Sequence, residues 1–300
     1  MSYKIKKFKV ERKVKAFKFL MENFDLSMKE AQRWIDKKRL YHNGEIVIKK
    51  PLDISGDIEV IIFVPTTRGL EPIFETRDFA IYDKPSGVLI HPANRFTEYS
   101  LTHELKHRYG SMANITHRID KETSGLVVVA KHKEAEKGIK KLFENREVKK
   151  SYLAYVKGKI NNKIFIDAPI QKNREFDEIK LKVQIDEEGK SSQTIVEPLV
   201  YHDKEDITLI KATPLTGRQH QIRVHMFHVK HPIIGDPIYG VDVKTADDYL
   251  NGRLSEEERV RLTGASRLML HANTIGFKYK NQFEIVSKMK LSLSALLKHP

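Results

Sequence analysis

The chain has 300 residues with 54 Lys and Arg against 40 Asp and Glu, a formal charge of +14, and no cysteine. That length allows one large or two unequal domains with a real core. The missing cysteines exclude disulfides, thiolate metal sites and cysteine nucleophiles, and the basic excess favours a polyanionic partner.

In chain order, the polar start (Met1 to Lys7) resembles neither a secretory leader nor a membrane span. Ser27 and Glu30 form a capping box that predicts a helix with Met28, Ala31, Trp34 and Ile35 on its inner face. Lys29, Gln32, Arg33, Lys37, Lys38 and Arg39 supply the other, largely basic surface. Residues 40–48 predict a hairpin around Asn43-Gly44, a pair that tolerates positive φ, and 57–64 a further strand. Pro65 to Pro72 is a breaker-rich linker. Strands are then expected at 79–82 and 88–90 about a Lys-Pro-Ser-Gly turn. A helix follows at 134–144, with Ala135, Ile139, Leu142 and Phe143 inward, then an alternating strand at 151–156 and another at 207–212. The polar stretch 241–266, with a capping box at Ser255 and Glu258, looks like a surface excursion.

The densest segment is His117-Arg118-Ile119-Asp120-Lys121-Glu122-Thr123-Ser124-Gly125-Leu126, followed by an apolar run to Ala130. It sets one carboxylate in a polar loop ahead of a buried strand, a frequent place for a catalytic acid. Taken alone, it reads equally well as a turn in which Asp120 only caps the loop. Histidines at 220, 225, 228 and 231 suggest a metal cluster. No acid lies between them, and the turn after Pro232 breaks any helix, so structural histidines are the better reading. Trp34 is expected in the core.

That segment resembles the catalytic motif of the RluA-type pseudouridine synthases, with Ile119 where Leu is usual. Five more segments match the family in order: Asp83 to Pro92, Lys150-Ser151-Tyr152, Thr216 to His225, His231 to Asp236, and Arg267 to Ala272. The resemblance implies an α+β protein: a catalytic domain at 73–300 with a mixed, mainly antiparallel sheet and flanking helices. Residues 1–64 resemble, less closely, an S4-type RNA-binding domain, joined by the linker 65–72.

It also implies the isomerisation of uridine in RNA: the N1–C1′ bond breaks, the base turns, and C5 joins C1′ without metal or cofactor. Asp120 is the catalytic carboxylate, as nucleophile at C1′ or base at C2′. Arg223 is the cation that keeps it charged. Tyr152 lies over the uracil and is a candidate to take the C5 proton, although a strand tyrosine is more often core packing. Tyr155, an odd number of residues on, belongs to the opposite face. Arg118 fills the space vacated by a flipped uridine. Arg218 and Lys84 are taken as phosphate contacts, with Arg33, Lys38 and Arg39 as the RNA-binding edge of the first module.

The expected partner is RNA, ribosomal first and transfer RNA second, for a cytoplasmic monomer with no membrane association. Two other classes remain: an inactive RNA-binding or ribosome-assembly protein, and a metal-dependent RNA hydrolase built on the histidines.

Overall fold

A computed structural model describes residues 3–94, 96–172 and 182–292. The chain divides into two compact units, one running to Thr67 and including Pro92–Tyr99, the other formed by Arg68–His91 and the chain from Ser100 onward.

The first unit holds β1 (Tyr3–Lys15), α1 (Ala16–Phe24), α2 (Met28–Asp36), β2 (Leu40–His42), β3 (Glu45–Ile46) and β4 (Asp53–Phe63), with the sheet ordered β1-β4-β2-β3. The capping box starts α2 as expected, the Ser27 hydroxyl accepting from the Glu30 amide while the Glu30 carboxylate accepts from the Ser27 amide. Ala31 and Ile35 are buried, whereas Met28 is half exposed, a departure from the expected inner face. Full burial of a side chain such as Ile35 contributes about 1.5–3 kcal/mol. Asn43 and Gly44 both have positive φ, which a hairpin of this type requires. The long β1 and the helix α1 carry no strong sequence signal: lysines interrupt the alternation of the strand.

The second unit contains β5 (Pro72–Glu75), β6 (Phe79–Lys84), α3 (Leu101–Tyr109), β7 (Asn114–Ile115), β8 (Ser124–Ala130), α4 (Lys133–Glu144), β9 (Lys149–Lys157), β10 (Ile164–Asp167), β11 (Ile170–Lys172) and β12 (Val183–Ile185). It continues with β13 (Gln193–His202), β14 (Ile207–Pro214), α5 (Gln221–His228), α6 (Val243–Leu250), α7 (Glu256–Thr263), β15 (Leu270–Tyr279) and β16 (Asn281–Val286). Its main sheet runs β10-β13-β14-β9-β15-β8-β6-β5, with β16 on β15 and β7 on β8. Only β15 and β8 pair in parallel among the described strands, and only at His271–Ser124 and Ala272–Gly125. The α+β architecture with a mixed, mainly antiparallel sheet is as expected.

The apolar run after Gly125 is continuous because β8 is covered on both faces. Val127 and Val129 join Leu101 and Leu105 of α3 in one cluster. Leu126 and Val128 join Ala135 and Ile139 of α4 in another. The two-residue period of the strand sends alternate side chains to the two cores. The strand at 151–156 does not alternate as expected: β9 lies between β14 and β15, and Ala154, Tyr155 and Val156 are all buried. Residues 88–90 are not a strand. They form the loop whose Leu89 and Ile90 carbonyls accept the first amides of α3.

Candidate active site

Asp120 stands within the loop between β7 and β8, and side-chain and backbone contacts from Lys84, Ser86 and Gly87 hold that loop in place. The Lys84 ammonium donates to the carbonyls of Pro85, Val88 and Lys121 at 2.9, 2.9 and 3.0 Å. The Ser86 hydroxyl donates to the Glu122 carbonyl at 2.6 Å, and the Gly87 amide to the Lys121 carbonyl at 3.0 Å. Lys84 is therefore not a phosphate contact. It is fully buried, burial pulls its pKa down to about 7 against the attraction of Glu122 and Asp120, and its three protons serve backbone carbonyls. Its site in the sequence, next to a Pro-Ser-Gly turn, is one where an exposed lysine is equally common.

The carboxylate of Asp120 is 26% exposed at the floor of a cleft of about 1060 Å³. Arg223 Nη1 donates to Asp120 Oδ2 at 3.2 Å, and His220 Nε2 lies 3.8 Å from the same oxygen. The other edge of the Arg223 guanidinium is gripped by Asp236, with Nε and Nη2 each 2.8 Å from one carboxylate oxygen. Asp236 Oδ1 also accepts the amides of Ile238 and Tyr239. Burial opposes both charges. Even so, the pair holds Arg223 above and Asp236 below their ordinary pKa values, because each charge answers the other. Arg223 sits in the first turn of α5, where the helix dipole disfavours a cation, so it depends on its two carboxylates.

The turn into α5 is set by Gln221. Its amide oxygen accepts from the Thr216 hydroxyl and the Arg218 amide, while its nitrogen donates to the Gln193 carbonyl. His220 precedes the helix with φ of 52°, a strained value for a residue other than glycine. That conformation places its ring edge-on to Tyr239, with Nδ1 3.1 Å from the Tyr239 hydroxyl. Burial, helped by the charge of Arg223, pushes the His220 pKa down to about 4, so the ring is neutral at pH 7. The Tyr239 ring also lies against the Arg223 guanidinium, 5.2 Å from centroid to Cζ.

Tyr152 on β9 lines the same cleft as Asp120, but it also packs against the core cluster in which Tyr155 is buried, so the clean division between faces expected from strand period is not seen. Burial raises the Tyr152 phenol above its ordinary pKa, and the Asp120 charge adds to this. His117 stacks on Phe143 at 4.3 Å and accepts from the Val128 amide through Nε2. Burial, with the charge of Lys150, lowers its pKa to about 3.

Arg118 is exposed beside the cleft, and Arg218 is anchored at its rim through Nε to the Ser191 carbonyl. Arg33 and Lys38 are exposed in the first unit, while Arg39 is half-buried against the rings of Tyr3 and Trp34. Eight cations line the cleft against the three acids Asp120, Glu144 and Glu284, so its walls favour an anionic chain. The four histidines do not converge. His225 bonds the Thr194 hydroxyl and the Ala168 carbonyl, His231 the Lys157 carbonyl, and His228 is exposed. Among the described residues no group of three His, Asp or Glu side chains could hold a metal.

Sequence reasoning missed the roles of Asp236, His220, Tyr239 and Arg259. The arginine lies in the stretch read as a surface excursion. In fact α7 sends Arg259 inward to Glu122 Oε2 at 2.7 Å and to the Gly235 carbonyl at 3.2 Å, bracing the Asp120 loop. A helical surface turn of Glu and Arg gives no sign of an inward pair. Asp236 could have been suspected, since a buried Arg223 needs a second acid.

The sequence matches the family described as RNA pseudouridylate synthase over residues 78–228. An uncharacterized RNA pseudouridine synthase of Helicobacter pylori (strain J99) is 37% identical over 99% of this chain and 100% of its own length. The mitochondrial tRNA pseudouridine(32) synthase of Saccharomyces cerevisiae is 33% identical over 77% of this chain and 55% of its own. Ribosomal large subunit pseudouridine synthase D of Escherichia coli K12 is 30% identical over 72% and 69%. Among solved structures, human RNA pseudouridylate synthase domain containing 1 superposes with a TM-score of 0.61 and 26% identity, covering 77% of this chain and 88% of that one. With a carboxylate, a buried guanidinium and a phenol around one cation-lined cleft, and with these relatives, the chain belongs to the RNA pseudouridylate synthase family, of the RluA type, and is an RNA-modifying isomerase.

Proposed function

We propose that Asp120 is the catalytic carboxylate and that the uridine enters between it and Tyr152. The observation that carries this reading is the asymmetry of Asp120: both of its protein contacts, Arg223 Nη1 and His220 Nε2, fall on Oδ2. Oδ1 has no protein contact among the described residues and is left to attack C1′ or take the C2′ proton. Arg223 positions the carboxylate and is itself fixed by Asp236. The Tyr152 ring supports the uracil. Its hydroxyl keeps its proton at neutral pH, so it takes the C5 proton only as its own passes, by way of solvent, towards N1, which gains a proton in the product. Arg118 occupies the space the flipped nucleotide leaves, since a guanidinium plane stacks on bases and pairs with phosphates. The reaction is an isomerisation: the proton lost from C5 is matched by one gained at N1, and no redox partner enters the balance.

The substrate we favour is a uridine of large-subunit ribosomal RNA. Support comes from the S4-like reading of the basic first unit and from the naming of relatives such as the Escherichia coli enzyme. A tRNA uridine is the second reading, favoured by the similarity to the yeast mitochondrial tRNA enzyme. In both readings the enzyme works as a cytoplasmic monomer. Mapping pseudouridines across all RNAs in a strain lacking this gene decides between them. Loss of one or a few large-subunit sites is expected. Loss confined to tRNA would select the second reading, and no lost site would overturn both.

A further inference from the structure

Among the described residues, Lys150 is a cation of the cleft without a protein partner. It lies two residues before Tyr152 on β9, so its side chain leaves the strand on the same face and enters the same cleft. It is half-buried, and among the described residues no carboxylate lies within ion-pair distance and no hydrogen bond is made by its ammonium. Partly desolvated charges are normally paired, because leaving water without compensation is costly. Arg223 in the same cleft shows the usual solution, with two carboxylates on one guanidinium.

The surroundings of Lys150 point to an anion as the missing partner. Its Nζ lies 3.3 Å from where a Cβ on Gly217 would be, so the ammonium sits close against the backbone of that turn. The Gly217 residue is exposed, and the next residue, Arg218, turns its guanidinium along the same rim with one nitrogen tied to the Ser191 carbonyl. An ammonium, an exposed backbone turn and a guanidinium without a carboxylate make a corner suited to a singly charged tetrahedral oxyanion.

We propose that Lys150, Gly217 and Arg218 seat one phosphodiester of the RNA, the one adjoining the uridine being isomerised. The placement rests on the reading that the uridine enters between Asp120 and Tyr152. Two residues of extended strand separate Lys150 from Tyr152, about 6.6 Å of backbone, which matches the reach from a base to its neighbouring phosphate. The seat would fix the sugar relative to Asp120 through the backbone rather than through the base.

The test uses the full-length protein and, as probe, total RNA from cells lacking this gene, which contains the unmodified target whatever it is. Pseudouridine formation is followed in single turnover over a series of enzyme and salt concentrations. For Lys150→Met we expect the half-saturating enzyme concentration at low salt to rise on the order of tenfold, the worth of one charge-assisted contact. The log–log dependence of half-saturation on salt should become shallower by about 0.7, as for one phosphate contact on a single strand. Lys150→Arg should restore the slope. Lys204→Met, which removes an exposed lysine outside the cleft, should leave it unchanged. Should Lys150→Met fail to fold, Lys150→Gln carries the same expectation. An unchanged slope in a folded Lys150 variant, or an equal loss in Lys204→Met, would overturn the phosphate seat. A wild-type enzyme that forms no pseudouridine on this RNA would instead remove the underlying reading, and the seat with it.

Discussion

Asp120, Arg223 and Asp236 form a chain in which each group is meaningful only through the next. Asp120→Asn keeps the shape but supplies neither an anionic nucleophile nor a base, so isomerisation should fall by orders of magnitude while RNA binding persists. Arg223→Lys keeps the charge and loses the planar fork that bridges two carboxylates, so little activity should remain. Combined with Asp120→Asn it should cost no further rate, because residues acting as one unit lose function together. Single-turnover rates for both single variants and the double variant check this, and a near-normal Arg223→Lys rate would refute the chain. Arg223→Ala is a poorer probe: it strands Asp236 in the core, at a cost of about 3–5 kcal/mol in stability. The same neighbourhood predicts a pH effect. His117 and His220 have pKa values lowered to about 3 and about 4, against about 6.5 in the unfolded chain. Both are neutral when folded, so their contribution to stability is complete above pH 6.5. It is lost as pH falls from there towards 4 and 3, because the unfolded chain takes up protons first. Melting temperature measured from pH 7.5 to 4 should drop, and His117→Phe should flatten part of that drop. An equally steep profile in that variant would show that other groups are responsible.

At the scale of elements, the loop carrying Asp120 is braced from two sides, by Lys84 at the end of β6 with Ser86 just beyond it, and by Arg259 from α7. Arg259→Ala leaves Glu122 buried without its counter-ion, which should destabilise the protein by about 3–5 kcal/mol. Replacing both partners, as Glu122→Gln with Arg259→Met, should recover most of that loss. Chemical denaturation of the two variants checks the pairing, and equal stabilities would show that the ion pair does not matter. How much of this was legible in the sequence depends on the distance over which each element is determined. The capping boxes, the Asn43-Gly44 turn and the α4 face were readable because caps, turn residues and helical period are local. The candidate catalytic segment was readable because Asp120, Tyr152 and Arg223 lie in recognisable motifs. The dependence of Arg223 on Asp236, the burial of Lys84 and the inward reach of Arg259 were not readable. Each depends at least in part on residues distant in sequence, and a lysine or arginine looks the same there whether it ends in water or on a carbonyl. The expected alternation of β9 failed for a related reason: whether a strand is covered on one face or two is decided by its neighbours.

At the scale of the molecule, basic charge is spread over both units, and the two sets should act differently. The cleft cations surround Asp120, whereas Arg33 and Lys38 stand exposed on the first unit. Burial and the nearby Arg33 charge both lower the pKa of Arg39, and Arg39 is occupied by the Tyr3 and Trp34 rings. Replacing Arg33 and Lys38 together by Gln should weaken RNA binding and flatten its salt dependence by about 0.7–0.9 for each phosphate no longer neutralised. The single-turnover rate at saturation should change far less than in the Asp120 variants. A salt dependence identical to wild type in filter binding would mean that this edge does not touch RNA.

One row across the main sheet joins Gly125 to Ala272 and Ala272 to Tyr152. A Cβ at 125 would stand 2.3 Å from the Ala272 carbonyl oxygen, so these backbones meet with nothing between them. Contact of that kind has no slack. A slip of one residue would drive the side chain of Ser124 or Leu126 into Ala272. The row therefore works as a caliper: Gly125 closes the Asp120 loop at one jaw, Tyr152 is the other, and the gap is two strand spacings, about 9.6 Å. The spacing between the strand that follows the Asp120 loop and the strand that carries Tyr152 is thus set by backbone contact.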